Sequence, residues 1–435
     1  MKEWLAEYRK KLISADEAAR KIESGMEVVI SATSEPISIM EKFSAVADKV
    51  RNVKVFSVFT TKPYDVFINH ERKGSFELTC WFWGACARAA QSAKTGSVSY
   101  QPNLLHNIAP GYLETRKPNI YIGSCTPPDK HGHVHLALSL VYEKDMVEAA
   151  DMVILEVTKK APRVFGDTEV HIDDVDFFVE DDHDLFMLPN RELDEIDLSI
   201  GRHIAELVPD EATIQLGIGE IPNAVARCLE TKKDLGVHTE MLVDSMRHLY
   251  DIGVITNKKK TLYNGKFICA FLWGTQELYD WADNNSTILM LKGRYVNDPA
   301  VIRRNSKMRS INTCMMVDLT GQVFSEGIGT NHYSGTGGQL DTALGARQGL
   351  DGQGKSIIAC RSTAKDGQIS TIVSLAPQGT PVTLHRGITD YVVTEYGSAW
   401  LRGKTVKERV GSLIGIAHPD FREQLREEAE RLGFI

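Results

Sequence analysis

Short apolar runs alternate along this chain with stretches of helical length. "SADEAARKIESG" (Ser14–Gly25) carries a serine N-cap, a glutamate at the third helical position and a terminal glycine. These mark a capping-box helix with a C-terminal stop. "MEVVISAT" (Met26–Thr33) follows as a β-branched strand, and "SEP" opens the next element. The alternation recurs at "VKVFSVFT", "NIYIGSCT", "ADMVILEVT" and "DFFVE". Apolar strands separated by helices predict a mainly parallel sheet covered on both faces.

The pattern also repeats. "AARKIESGMEVVISATSEPIS" (Ala18–Ser38) and "IAELVPDEATIQLGIGEIPNA" (Ile204–Ala224) share one grammar: helix, acidic turn, apolar strand, small-residue turn, helix opened by proline. Further on, "DVDFFVE" (Asp174–Glu180) resembles "ITDYVVTE" (Ile388–Glu395), in the same order in each half. Two similarities in register predict two related open-sheet α/β domains, residues 1–190 and 191–435. They would join in the polar stretch "EDDHDLFMLPNRELDEID" (Glu180–Asp197). A length of 435 residues, more than one core usually serves, agrees.

Composition narrows the function classes. A net charge of −8 argues against a nucleic-acid binder, which needs a basic footprint, but not against a small phosphate-bearing ligand. The seven cysteines are scattered, with no CxxC, which points to reduced thiols in a cytoplasmic protein. The N-terminus lacks the apolar core of a signal peptide, and runs such as "ICAFLWG" (Ile268–Gly274) are too short to span a bilayer, so no membrane association is expected.

Three segments carry candidate chemistry. The turn Gly217-Ile218-Gly219 follows a strand and precedes a helix with Pro222 in its first turn, a place where backbone N–H groups gather for an oxyanion or phosphate. "HYSGTGGQLD" (His332–Asp341) sets Gly335, Gly337 and Gly338 close together, as a close backbone approach would require. "LGVHTEMLVD" places Glu240 between a polar turn and an apolar stretch. On residue type alone Glu240 is a solvated acid at a helix start. Beside two glycine turns it is a candidate nucleophile for acyl transfer, with an oxyanion hole at hand.

The ordered motifs "QLGIGEIPNAV", "LGVHTEMLVD", "NDPAVIRRNSKMRSINTCMMVDLTGQV", "GTGGQLD" and "DYVVTEYGSAWLRGKTVKERV" span nearly the whole chain. Through them the sequence resembles the acetyl-CoA hydrolase/transferase family, the family I coenzyme A transferases, and most closely their 4-hydroxybutyrate and butyrate:acetate branch. The resemblance implies two related α/β domains of the CoA-transferase, NagB/RpiA-like kind, with the active site between them. It implies exchange of CoA between a short-chain acyl-CoA and an acid such as 4-hydroxybutyrate, butyrate or acetate. The exchange is ping-pong, through an acyl-glutamyl anhydride and a glutamyl-CoA thioester. Acyl-CoA is then a substrate, and no cofactor or metal is held permanently. The resemblance places the nucleophile on Glu240, oxyanion donors around Ile218 and Gly219 and in the Gly335–Gly338 loop, an active-site asparagine on Asn297, and the glutamate of "TEYG" on Glu395. A homodimer or homotetramer is expected. The same scaffold could serve an acyl-CoA hydrolase or a non-catalytic CoA-binding protein.

Further candidates are weaker. Glu35 sits in "SATSEP", the turn equivalent to "GIGEIP", and with His332 and Tyr333 could line the substrate pocket. "NKKK" (Asn257–Lys260), Arg303-Arg304 and "RGKTVKER" (Arg402–Arg409) could supply cations for CoA phosphates, although charge runs are usually solvated faces. His131, His133 and His135 have strand spacing that would face one way, but the turn "TPPDKHGH" favours a hydrogen-bonding role. "CWFWGACARAA" reads as core or interface rather than a redox site.

Overall fold

The valine- and isoleucine-rich runs become strands, and those at the sheet centre, such as Ile120–Cys125, are buried on both faces. The computed structural model describes residues 3–188 and 192–435. The chain divides into two compact units, Met1–Leu188 with Cys269–Val296, and Pro189–Ile268 with Asn297–Ile435. The domain boundary expected between residues 190 and 191 lies outside the described residues.

The first unit holds a seven-stranded sheet: β1 (Glu27–Ile30), β2 (Val53–Ser57), β3 (Phe76–Cys80), β4 (Val98–Tyr100), β5 (Ile120–Cys125), β6 (Met152–Val157) and β7 (Phe177–Glu180). Their order is β4-β3-β2-β1-β5-β6-β7, parallel throughout. Val28, Ile30, Val55, Leu78, Ile122 and Ile154 pack with Phe43 and Phe67 as its core. Cys80, Trp83 and Cys86 of "CWFWGACARAA" belong to that core. The capping box at Ser14 and Glu17 forms as the sequence predicts, but the helix covers only Ala15–Ala19. Bonds of the i→i+3 kind from Lys21 and Ile22 tighten the last turn, and Ile22 is buried there.

The second unit carries β8 (Thr213–Leu216), β9 (Gly236–Val237), β10 (Arg309–Thr313), β11 (Lys355–Ala359), β12 (Tyr391–Thr394) and β13 (Gly397–Trp400). Their order is β9-β8-β10-β11-β12-β13, with only β13 antiparallel. The two units share a plan. In the first, the chain steps outward from β1 and returns to pair β5 on the other side of β1. In the second it steps outward from β8 to β9 and returns to β10. The two glutamate-ended strands of the repeat, β7 and the one leading to Glu395, are each third beyond the point of return. In open α/β sheets, ligands bind beyond strand carboxyl ends where the order reverses. The "SATSEP" and "GIGEIP" turns follow β1 and β8 there.

Candidate active site

The segment leading to Glu240 is fixed residue by residue. β9 ends at Val237, whose N–H donates to Asn257 Oδ1 (2.8 Å) and whose carbonyl accepts from Lys260 Nζ (2.6 Å). Lys260 also donates to the Lys266 carbonyl (2.7 Å) and is buried. Its stem occupies the space a side chain at position 236 would need, which explains the glycine there. Thr239 N–H donates to the Ile268 carbonyl (2.9 Å), and its hydroxyl to that of Met241 (3.0 Å). Lys260 is therefore a clamp on the strand before Glu240, not the CoA-phosphate cation considered from "NKKK". Replacing it with methionine keeps the stem but leaves two carbonyls without the ammonium, so urea unfolding is expected to show a loss of about 3 kcal/mol.

Glu240 retains partial access to solvent, while its carboxyl is enclosed by protein. Asn297 Nδ2 donates to Glu240 Oε2 (2.7 Å). Asn297 is itself fully buried, and its Oδ1 has no hydrogen-bond partner. Gly338 lies directly against the pair. A Cβ placed on it would collide with Glu240 Oε2 and Asn297 Nδ2 and come within 3.0 Å of Glu240 Cδ. Gly338 is the N-cap of the helix Gln339–Arg347, so the carboxylate faces a helix N-terminus. Burial nevertheless pushes the Glu240 pKa up to about 7. The Asn297 hydrogen bond opposes that rise, and Asp341, buried in the first turn of the same helix, adds to it.

A polar plate anchors this helix. Ser310 Oγ donates to Thr342 Oγ1 (2.9 Å), and Asn312 Nδ2 reaches Thr342 Oγ1 (3.1 Å), Ser310 Oγ (3.0 Å) and Gln215 Oε1 (3.3 Å). Gln339 Nε2 donates to the Thr313 carbonyl (2.9 Å). Sequence reading missed these residues. The available signal was the set of polar residues at alternate strand positions, Ser310 and Asn312, within an otherwise parallel-sheet strand.

The other expected residues are placed as follows. Gly217 and Ile218 follow β8, and Gly219 caps the helix Glu220–Cys228 with φ 112°, a conformation that favours glycine. Gly335 and Gly337 lie just before Gly338, in the loop after the hairpin Gly327–His332. His332 and Tyr333 close that hairpin, and Tyr333 and Ser334 donate their N–H groups to the Glu326 carbonyl. Glu395 accepts from Ser362 N–H (2.9 Å) and Oγ (2.6 Å), and is not among the hydrogen-bond partners of Glu240. His135 is buried and its Nδ1 lies 3.0 Å from Thr168 Oγ1. Arg303 and Arg304 are exposed, whereas Arg409 binds the Thr320 and Arg386 carbonyls.

Glu35, in the first unit, is buried and accepts from Thr61 N–H, Thr61 Oγ1 (2.9 Å) and Tyr64 Oη (2.8 Å). Burial lifts its pKa to about 7 against those hydrogen bonds. A carboxyl raised on folding contributes stability that is present below its unfolded pKa and is lost as pH rises through about 7. Glu35→Gln is therefore expected to raise Tm at pH 8 and leave it nearly unchanged at pH 4, by calorimetry. Glu156, Asp181 and His183 bring metal-ligand atoms within 4.8 Å of one another. Glu156 there already accepts from Ser38 and Ile39 N–H groups and the Ser38 hydroxyl. Among the described residues, no helix is long and apolar enough to cross a membrane.

Comparison with known proteins identifies the family. The acetyl-CoA hydrolase/transferase N-terminal domain family matches residues 1–188, and the C-terminal domain family matches residues 274–429. The chain is 40% identical to a 4-hydroxybutyrate coenzyme A transferase of Clostridium kluyveri, over 99% of each sequence. The crystal structure of RipA from Yersinia pestis superposes with a TM-score of 0.93 at 33% identity, covering 100% of both chains. That of a 4-hydroxybutyrate CoA-transferase from Porphyromonas gingivalis gives 0.82 at 32% identity, covering 99% of this chain and 100% of that one. These matches, over two open-sheet α/β units, define a group-transfer enzyme. The chain belongs to the acetyl-CoA hydrolase/transferase family and is a coenzyme A transferase.

Proposed function

We propose that this enzyme exchanges CoA between a short-chain acyl-CoA and a carboxylic acid, with 4-hydroxybutyrate, butyrate and acetate as the candidate acids, by a ping-pong route through Glu240. The observation that carries this reading is the Glu240 carboxylate held by Asn297 against Gly338. Asn297 engages Oε2, which leaves Oε1 as the attacking atom. Attack on the acyl-CoA carbonyl forms an acyl-glutamyl anhydride and releases CoA thiolate. The thiolate then attacks the Glu240 carbonyl carbon, expelling the acid and forming a glutamyl-CoA thioester. The incoming carboxylate reverses both steps. A carboxylate suits this chemistry because it is both nucleophile and leaving group, whereas a serine ester would be too stable to pass the acyl group on. The N–H groups of Ile218 and Gly219 and those of the Gly335–Gly338 loop are the oxyanion donors in this reading, each worth about 3 kcal/mol in the transition state. The free thiols of the chain fit a cytoplasmic setting.

The test is incubation with butyryl-CoA alone, followed by intact mass and peptide mapping. A CoA adduct on Glu240, discharged by added acetate with formation of acetyl-CoA, is the expected result. Steady release of CoA without label exchange from acetate would favour a hydrolase instead.

The raised Glu240 pKa sets the pH dependence. Only the carboxylate attacks, so kcat/KM is expected to rise with pH and level off above about 7. Asn297→Ala removes a donor that favours the charged form, so its limb should move to higher pH, with a fall in kcat/KM on the order of 10- to 100-fold. An unshifted profile would contradict the assigned role of Asn297.

A further inference from the structure

We infer that Cys314 and Cys360 form a paired dithiol that hydrogen peroxide converts to a disulfide, a modification site at the carboxyl end of the second unit's sheet. The strand register brings them together. Thr313 of β10 pairs with Ala359 of β11, and the ladder runs one step further through Cys314 N–H to the Ala359 carbonyl (3.1 Å). Cys314 and Cys360 are therefore opposite each other on neighbouring parallel strands, with side chains on the same face. Neighbouring strands lie about 4.8 Å apart, inside the Cα separation a disulfide accepts.

The same register sets the two thiols side by side at the ends of β10 and β11. Cys360 Sγ in turn lies 3.7 Å from Thr371 Oγ1, which donates to the Arg361 carbonyl (2.6 Å). The neighbouring Cys314 thiol lowers the Cys360 pKa, which favours the thiolate at Cys360. Both side chains line a cavity of about 480 Å³ with Met315, Glu220, Ile221 and Arg361, and Cys314 is partly exposed. A molecule as small as hydrogen peroxide can enter it.

The chemistry balances in two steps. The Cys360 thiolate attacks one peroxide oxygen, breaking the O–O bond, and gives Cys360–SOH and hydroxide. Cys314 sulfur then attacks the Cys360 sulfur. The S–S bond forms, the S–O bond breaks, and the Cys314 proton leaves with the hydroxyl as water. Two electrons pass from the thiols to the peroxide.

The test uses the reduced full-length protein. It is treated with a small molar excess of hydrogen peroxide, alkylated without reduction, digested and mapped by mass spectrometry. The expected result is one linked pair of peptides carrying Cys314 and Cys360, with five of the seven cysteines alkylated and all seven alkylated after prior treatment with dithiothreitol. In Cys314→Ser the link should vanish, and Cys360 should appear as a sulfenic acid trapped by dimedone. Oxygen added to Met315 or Cys360 of the native protein without a link, a disulfide between other cysteines, or full alkylation of all seven would overturn the inference.

Discussion

Glu240→Gln is expected to lower CoA exchange by about 10⁴-fold or more while the protein stays folded. The amide keeps the size of the carboxyl and can still sit beside Asn297, but it is neither a nucleophile at neutral pH nor the source of an anhydride. No CoA adduct should form on it. Stability should behave differently from activity. The buried carboxyl has its pKa raised to about 7, so its charged form is disfavoured in the fold above that pH. Removing the charge should therefore raise Tm at pH 8, although it destroys catalysis. Glu240→Asp separates reach from charge: it keeps an acid but withdraws it from Asn297 Nδ2 by one methylene. A loss of about 10²-fold fits a step that depends on placing the attacking atom to within an ångström. Exchange above a tenth of the native rate in Glu240→Gln would remove Glu240 from the mechanism.

Gly338→Ala is the second large effect. The backbone conformation at Gly338 is ordinary, so the demand for glycine is one of space: the added methyl would meet Glu240 Oε2, Asn297 Nδ2 and Glu240 Cδ together. Either the carboxylate turns away, which breaks its 2.7 Å bond to Asn297, or the helix cap recedes from it. Both displace the reacting atom, and a fall in kcat on the order of 10³-fold is expected. The glutamyl-CoA adduct should be reduced in parallel. Gly217 provides the contrast. A Cβ there meets nothing closer than Pro222 Cγ at 3.9 Å, so Gly217→Ala should cost far less in a side-by-side assay.

The parallel-sheet class was legible because covered parallel strands leave nearly unbroken apolar runs, and because the pattern is written twice; the strand order was not. Ser14 and Glu17 also announce their capping box directly, since its contacts are local. The return of Cys269–Val296 to the first unit left no mark, because excursions of that kind depend on distant partners rather than on periodicity. At the site, Glu240 alone reads as a surface acid, and the ordered family motifs singled it out. The sequence could not say which of Gly335, Gly337 and Gly338 matters sterically. That depends on how a helix cap meets a carboxylate distant from it in the chain. Lys260 is hidden for a related reason: a lysine in a charged run reads as solvated, yet its stem fills the space above Gly236.

The circuit formed by Gln215, Ser310, Asn312 and Thr342 bears on how such an enzyme could be redesigned. Its members share donors and acceptors, so replacing one costs the others hydrogen bonds where Gln215, Ser310 and Thr342 are buried. Efforts to retune acyl-chain preference should leave that set alone. Substitutions are absorbed more easily at Ile328 and Tyr333 of the neighbouring hairpin and loop, where side chains remain in contact with water.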